Sequence, residues 1–269
     1  MTERILITSF KGGVGKTTVA ANLGAALAAR GKRVCVCDCD LESRCLDIVA
    51  GLTDLPLYNI CDALRGECEL SDAIAEIENG TLGFITAPAV FPDEKAKNGE
   101  VFTEEQVIRF IDGLSERYDY ILFDLPARPD ALYKLLCAHT DLFLVVSLHT
   151  ATAIRAAEKT ADTIRTLLGE DANPDIRLVV NGFKPTDVKS SDNVGLYDIL
   201  SRTHLPLAGV IPYDAAMGRE QEKGFPAYKA KNGRLPFYKA IVNTASRIEG
   251  LAVPLLRGIR TGIRSKDLL

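Results

Sequence analysis

Histidine is scarce in this chain of 269 residues: only His139, His149 and His204 occur, and their scatter offers no ligand spacing for a metal centre. No apolar run approaches the roughly 20 residues that a membrane-spanning helix requires, so the chain is not expected to cross a bilayer. The N-terminus lacks the basic stretch and apolar segment of a secretory signal, and seven cysteines is an odd number for a disulfide framework. A reduced, cytoplasmic setting is the expectation. There is no excess of positive charge either. Thirty-two Lys and Arg against 36 Asp and Glu leave a formal charge of −4, which argues against a surface built to hold nucleic acid. Internal repeats, low-complexity tracts and linkers are also lacking. With 47% apolar and 25% charged residues, the composition excludes a disordered chain and fits one large domain with a filled core.

Apolar runs of strand length recur instead, at 4–10, 33–40, 82–87, 118–124, 141–147, 176–181 and 207–212. Continuous rather than alternating apolarity suits strands covered on both faces. Helices are predicted over Thr17–Arg30, Glu104–Arg117, Thr150–Leu168 and Phe237–Glu249 from apolar spacing and flanking breakers. The polar stretches 91–100 and 184–193 read as loops. These elements imply an α/β fold, a mostly parallel central sheet with helices on both faces, over residues 1–250, followed by a C-terminal segment, 254–269.

The first run leads into SFKGGVGKTT, Ser9 to Thr18, and an alanine-rich helix. Strand, glycine-rich loop and helix in succession are the context in which such a loop binds phosphate. Gly12, Gly13, Val14 and Gly15 would turn backbone N–H groups toward phosphate oxygens, with the dipole of the helix opening at Lys16–Thr17–Thr18 behind them. Lys16 would reach the β- and γ-phosphates, and the Thr17 hydroxyl would bind Mg²⁺. The strict pattern, G-x-x-x-x-G-K-[ST], is nevertheless missed: Phe10 occupies the first glycine position, and a second lysine, Lys11, follows. Asp38 and Asp40 stand at the end of the second run, and Asp124 ends the run at 118–124. Carboxylates there can hold a metal's water shell and orient an attacking water; capping of turns is the plain alternative. Cys35, Cys37 and Cys39 fall on one strand face along about 13 Å, poor geometry for tetrahedral ligation, and read as small packing residues.

On KGGVGKTT, DCD followed by SRCLD, LYNICDALRGECELSDAI, TAPA at 86–89 and DLPA at 124–127, the chain resembles the ParA/MinD family of P-loop ATPases with a deviant Walker A motif, its MinD branch above all. The resemblance runs through about Ile248. It implies the three-layer P-loop NTPase fold, ATP and Mg²⁺ as ligands, and ATP hydrolysis. Lys11 then resembles the lysine that reaches across an ATP-sandwiched homodimer to the partner's nucleotide. Asp40 resembles the residue that positions the hydrolytic water, and Asp38 and Asp124 resemble the Mg²⁺-associated acids. Asn181 and the Pro212–Tyr213–Asp214 turn resemble the adenine-binding segments. Implied partners are a division inhibitor and a protein that stimulates hydrolysis, with a role in placing the division septum.

Two departures lie in the switches: Cys45 stands where Asn is usual, and Arg128 replaces the glycine of D-x-P-A-G. If that position needs φ > 0, Arg128 is strained or switch II is differently shaped. Slow or altered hydrolysis with retained nucleotide binding is the expectation. In the C-terminal segment, Leu255, Leu256, Ile259 and Ile263 fall within an arc of about 100° on a helical wheel, beside Arg257, Arg260 and Arg264. That pattern suits a helix in the interface of an anionic membrane, on the cytoplasmic face; a tail packed on its own domain, or disordered, is the other reading. Gly258 and Gly262 weaken the helix, so membrane binding would be weak per copy and need a dimer. A ParA-type DNA-partitioning protein, and a regulator of flagellar or secretion-apparatus placement, stand as rival functions.

Overall fold

A computed structural model describes residues 1–77, 80–90, 102–169, 171–189, 194–222, 235–256 and 259. All seven apolar runs form strands. In chain order they are β1 (Glu3–Thr8), β2 (Val34–Asp38), then β4 (Leu82–Ile85), β5 (Tyr120–Asp124), β6 (Leu142–Ser147), β7 (Asp175–Phe183) and β8 (Leu207–Pro212). The eighth strand, β3 (Ala75–Ile77), is a three-residue edge that pairs antiparallel with β4. It is too short to carry a readable alternation. The other pairings are parallel, in the order β3-β4-β2-β5-β1-β6-β7-β8.

The four predicted helices appear at Lys16–Ala28 (α1), Glu104–Ser115 (α4), Ala151–Leu168 (α6) and Pro236–Ile248 (α10). Thr103 and Thr150 cap α4 and α6 through their side chains, which explains why these helices begin where polar periodicity predicts. Six further α-helices among the described residues are short: Leu46–Ala50 (α2), Ile60–Arg65 (α3), Ala131–Ala138 (α5), Pro185–Lys189 (α7), Leu196–Thr203 (α8) and Ala215–Glu222 (α9). Helix α7 corrects the loop expected over 184–193, because Pro185, with φ already set for a helix, opens one turn of it. Residues 190–193, and all of the loop expected at 91–100, lie outside the described residues.

The sheet separates two apolar clusters, which makes three layers. One face gathers Leu6, Cys35, Cys37, Phe123, Phe143 and Val180 under α3, α4, α5, α6 and α8. The other gathers Ile7, Val36, Leu122 and Leu144 under α1 and α10. Helix α1 comes so close to β2 that a Cβ on Gly24 would lie 2.5 Å from Val36 Cγ2. The alanine-rich sequence of α1 suits that contact.

The chain beyond α10 stays with the body as far as it is described. Gly250, at φ 80°, ends the helix, and the Leu251 amide bonds back to the Ser246 carbonyl. Leu255 and Ile259, 6% and 4% exposed, join the first cluster, and Leu256 packs against both. Arg247, 3% exposed, donates from Nε to Val253 O at 2.9 Å and from a terminal nitrogen to Ala208 O at 3.0 Å on β8. It thereby ties the root of the tail to the sheet edge. Of the expected amphipathic stripe, Ile263 and the basic residues from Arg257 onward lie outside the described residues.

Candidate nucleotide site

The order of β1 between β5 and β6 puts the loop after Thr8 at the carboxyl edge of the sheet, where open α/β sheets bind ligands. Gly15 has φ 90° and immediately precedes α1, so the first amides of that helix face the loop's concavity. A Cβ on Gly15 would lie 2.3 Å from the Asn181 side-chain nitrogen. That amide donates to Val14 O at 2.8 Å, so the end of β7 braces the loop from outside. Lys16 is 8% exposed and is the buried lysine at the head of α1.

Asp38 and Asp124 are directly opposite each other on paired strands, at 0% and 1% exposure. Asp38 accepts amides from Asp40 at 3.2 Å and Leu46 at 3.1 Å, so it organises the start of switch I. Burial, reinforced by the Asp124 charge, still pushes its carboxyl well above the ordinary value. Asp124 differs. Both its oxygens are sealed from solvent, and neither accepts a hydrogen bond of good geometry among the described residues. Burial pushes its carboxyl up to about 7, although the Thr17 hydroxyl and Lys16 ammonium act in the opposite direction.

A pair of aligned carboxylates, one with two orphaned oxygens facing a threonine hydroxyl and a lysine, is chemically incomplete without a cation. The donor set Thr17, Asp38 and Asp124 fits Mg²⁺, a hard ion that takes oxygen ligands and retains several waters. Asp40, two residues beyond Asp38, accepts the Ser43 amide at 3.2 Å and is more exposed than Asp38 or Asp124.

Lys11 does not enter the cradle. Its ammonium donates to Thr152 Oγ1, 2.9 Å away on the exposed start of α6. Pro212 ends β8, and Asp214 immediately precedes α9. The Tyr213 amide bonds to Phe183 O at 3.0 Å, joining the turn to β7, and Lys184 lies 4.0 Å from the Tyr213 ring centre. The Asp214 carboxylate is occupied locally, accepting the Ala216 amide at 3.0 Å at the head of α9.

Among the described non-glycine residues, only Arg44 and His204 have positive φ. Arg128 therefore bears no left-handed strain: switch II turns without needing a glycine there, and the guanidinium is exposed. The strained residue lies instead in switch I, at Arg44 with φ 38°, next to Cys45. Its Nε donates to Asp47 at 3.1 Å and holds that conformation.

Several contributors have no sequence signal. Thr152 receives Lys11, Gln221 bonds Thr18 at 3.0 Å, and Thr160 accepts the Phe10 amide at 3.0 Å. Each is an ordinary polar residue on a helix, and only the packing of α6 and α9 brings it to the loop.

Residues 5–227 match the family described as the CobQ/CobB/MinD/ParA nucleotide binding domain. The septum site-determining protein MinD of Bacillus subtilis is 34% identical over 257 residues, 95% of this chain and 92% of the relative. The Synechocystis MinD is 32% identical, again over 95% of this chain. A solved MinC:MinD cell division protein complex from Aquifex aeolicus superposes with a TM-score of 0.82 at 29% identity, covering 95% of this chain and 99% of that one. MinD of Pyrococcus horikoshii, solved with Mg-ADP, gives 0.76 at 26% identity, covering 98% and 100%. With the phosphate loop, the paired strand-end aspartates and this likeness along nearly its whole length, the chain belongs to the MinD family of the ParA/MinD nucleotide-binding proteins.

Proposed function

We propose that the protein is a MinD-type ATPase switch that dimerises around ATP, cycles on and off the inner face of the cell membrane and regulates where the division septum forms. The observation that carries this reading is the placement of the two lysines. Lys16 is buried at the phosphate cradle, whereas Lys11, from the same loop, lies outside it against exposed Thr152. A cation so placed is available to a nucleotide held by a second copy, and binding and dimerisation then become linked.

Within one subunit, the loop amides from Gly12 to Thr18 would hold the phosphates and Lys16 their charge. Thr17, Asp38 and Asp124 would hold Mg²⁺, which supplies charge neutralisation at the β- and γ-phosphates. Asp40 would orient the attacking water. Asn181, with Pro212 and Asp214, would border the base; the anchoring of Asn181 to Val14 couples that border to the loop. The solved MinC:MinD complex supports a division inhibitor as partner, and a protein that stimulates hydrolysis completes the cycle.

The C-terminal stripe with its arginines would serve as the lipid contact. Since Leu255 and Ile259 are seated on the body, lipid contact by the whole stripe requires them to leave it, which favours weak and reversible anchoring. The excess of acidic residues outside the tail disfavours the DNA-partitioning alternative: the segment 257–269 carries about +3, leaving about −7 elsewhere.

Sedimentation of the full chain with anionic liposomes in ATP and in ADP tests the reading, alongside R260E/R264E. ATP-dependent sedimentation abolished by the charge reversal is expected. Equal sedimentation in both nucleotides, or none in either, would sink the membrane switch, and salt-sensitive DNA binding in its place would favour the partitioning function.

A further inference from the structure

Phe10 departs from the strict phosphate-loop pattern, and the structure gives its side chain a definite place. Its φ is not positive, so the backbone there makes no use of a glycine's freedom. The ring packs into the cluster beneath α5 and α6, 6.0 Å from the ring of Tyr133 at an interplanar angle of 55°. Its amide is held by Thr160 of α6. Tyr133 is fully buried, and its hydroxyl lies 3.2 Å from Thr8 Oγ1, at the last residue of β1 before the loop. The Tyr133 amide is in turn capped by Asp130 at 2.7 Å.

Switch II is therefore fixed at both ends. Asp124 leaves β5 with its carbonyl bonded to the Cys39 amide, and the Leu125 amide bonds to Ile7 O. Seven residues after Asp124, α5 begins, pinned to the phosphate loop through Tyr133. Whatever moves residues 9–11 thus moves the far end of the segment that carries Arg128.

We infer that Phe10 is a positioning residue for hydrolysis: with Tyr133 it clasps α5 to the phosphate loop and sets the position of switch II relative to the metal-binding aspartates. The inference rests on the ATPase reading above. The residues that would bind the phosphates are untouched by the clasp, so its loss separates turnover from affinity.

The test uses the full chain carrying Phe10→Ala, Phe10→Leu or Tyr133→Phe. Turnover, KM and the affinity for a fluorescent ATP analogue are measured, together with amide hydrogen exchange over residues 125–138. For Phe10→Ala, kcat is expected to fall at least about fivefold with nucleotide affinity within about twofold, since small misplacements cost rate before binding. Exchange over 125–138 should quicken while that of α1 stays constant. Phe10→Leu, which keeps an apolar contact on Tyr133, should retain turnover, and Tyr133→Phe should lie between. Unchanged kcat and exchange in Phe10→Ala would overturn the inference, as would an equal loss of rate and affinity. If the natural chain binds ATP without turning it over, the hydrolysis reading fails, and the exchange comparison alone decides the clasp.

Discussion

Asp124 is expected to make the ligand-free protein less stable as pH rises, and Asp124→Asn to weaken that dependence, leaving the part that buried Asp38 contributes. The ordinary carboxyl value is 3.8, and burial at 1% exposure raises it to about 7 in the folded chain. Below 3.8 both folded and unfolded chains hold the proton, and the group contributes nothing to pH dependence. Between 3.8 and about 7 the unfolded chain has released the proton while the folded chain keeps it, so stability falls with rising pH. At about 1.4 kcal/mol per pH unit, the loss reaches roughly 4 kcal/mol by pH 7 and then levels off. Asn at this position cannot ionise, but it buries an amide with few partners, which returns about 1–2 kcal/mol of the gain. Urea unfolding of ligand-free protein should show Asp124→Asn about 2–3 kcal/mol more stable than the natural chain at pH 8, and close to equal at pH 4.5. Mg²⁺ with nucleotide should reverse the order at pH 8, because a cation in the site favours the ionised carboxylate that only the natural chain has. Hydrolysis by the variant should be lost. An Asp124→Asn protein no more stable than the natural chain at pH 8 would refute the orphaned-carboxylate argument.

Gly15→Ala should lower both nucleotide affinity and stability, by about 2–4 kcal/mol in unfolding free energy, because its Cβ meets the Asn181 amide at 2.3 Å and φ is 90°; titration with ADP and thermal melts measure the two. Arg247→Ala leaves the carbonyls of Val253 and Ala208 without their donor and should cost about 2–4 kcal/mol. Arg247→Met, which refills the volume without the cost of a buried cation, should cost less, and both should speed tryptic cleavage of the tail. Arg128→Gly should leave stability within about 1 kcal/mol, since the side chain is exposed and its backbone unstrained. Faster turnover in that variant would mark the guanidinium as the restraint on hydrolysis, and unchanged turnover would clear it.

Much of this site is local in the chain. A strand running into GGVGKTT and then into an alanine-rich helix has one way to present its amides, so the cradle and Lys16 follow from neighbouring residues. The strand-end aspartates are legible for the same reason: continuous apolar runs with an acid at the carboxyl end become parallel strands whose ends meet on one edge. The short helices escape such reading because five to eight residues carry too little periodicity to stand out, and tertiary packing rather than propensity holds them. Edge strand β3 is hidden likewise, since its three residues are strand only because β4 offers a partner.

The sequence alone specifies the phosphate loop, the parallel sheet and the acids beside it, since each depends on residues adjacent in the chain, on unbroken apolar runs or on the 3.6-residue period of the helices between them. Only the tertiary structure decided where Lys11 rests, what Phe10 and Asn181 brace, that the sealed Asp124 carboxylate accepts no well-formed hydrogen bond among the described residues, and that the tail's first apolar residues are seated on the body. Those relations join residues more than a hundred positions apart, or depend on what is sealed from water, and neither leaves a local pattern to read.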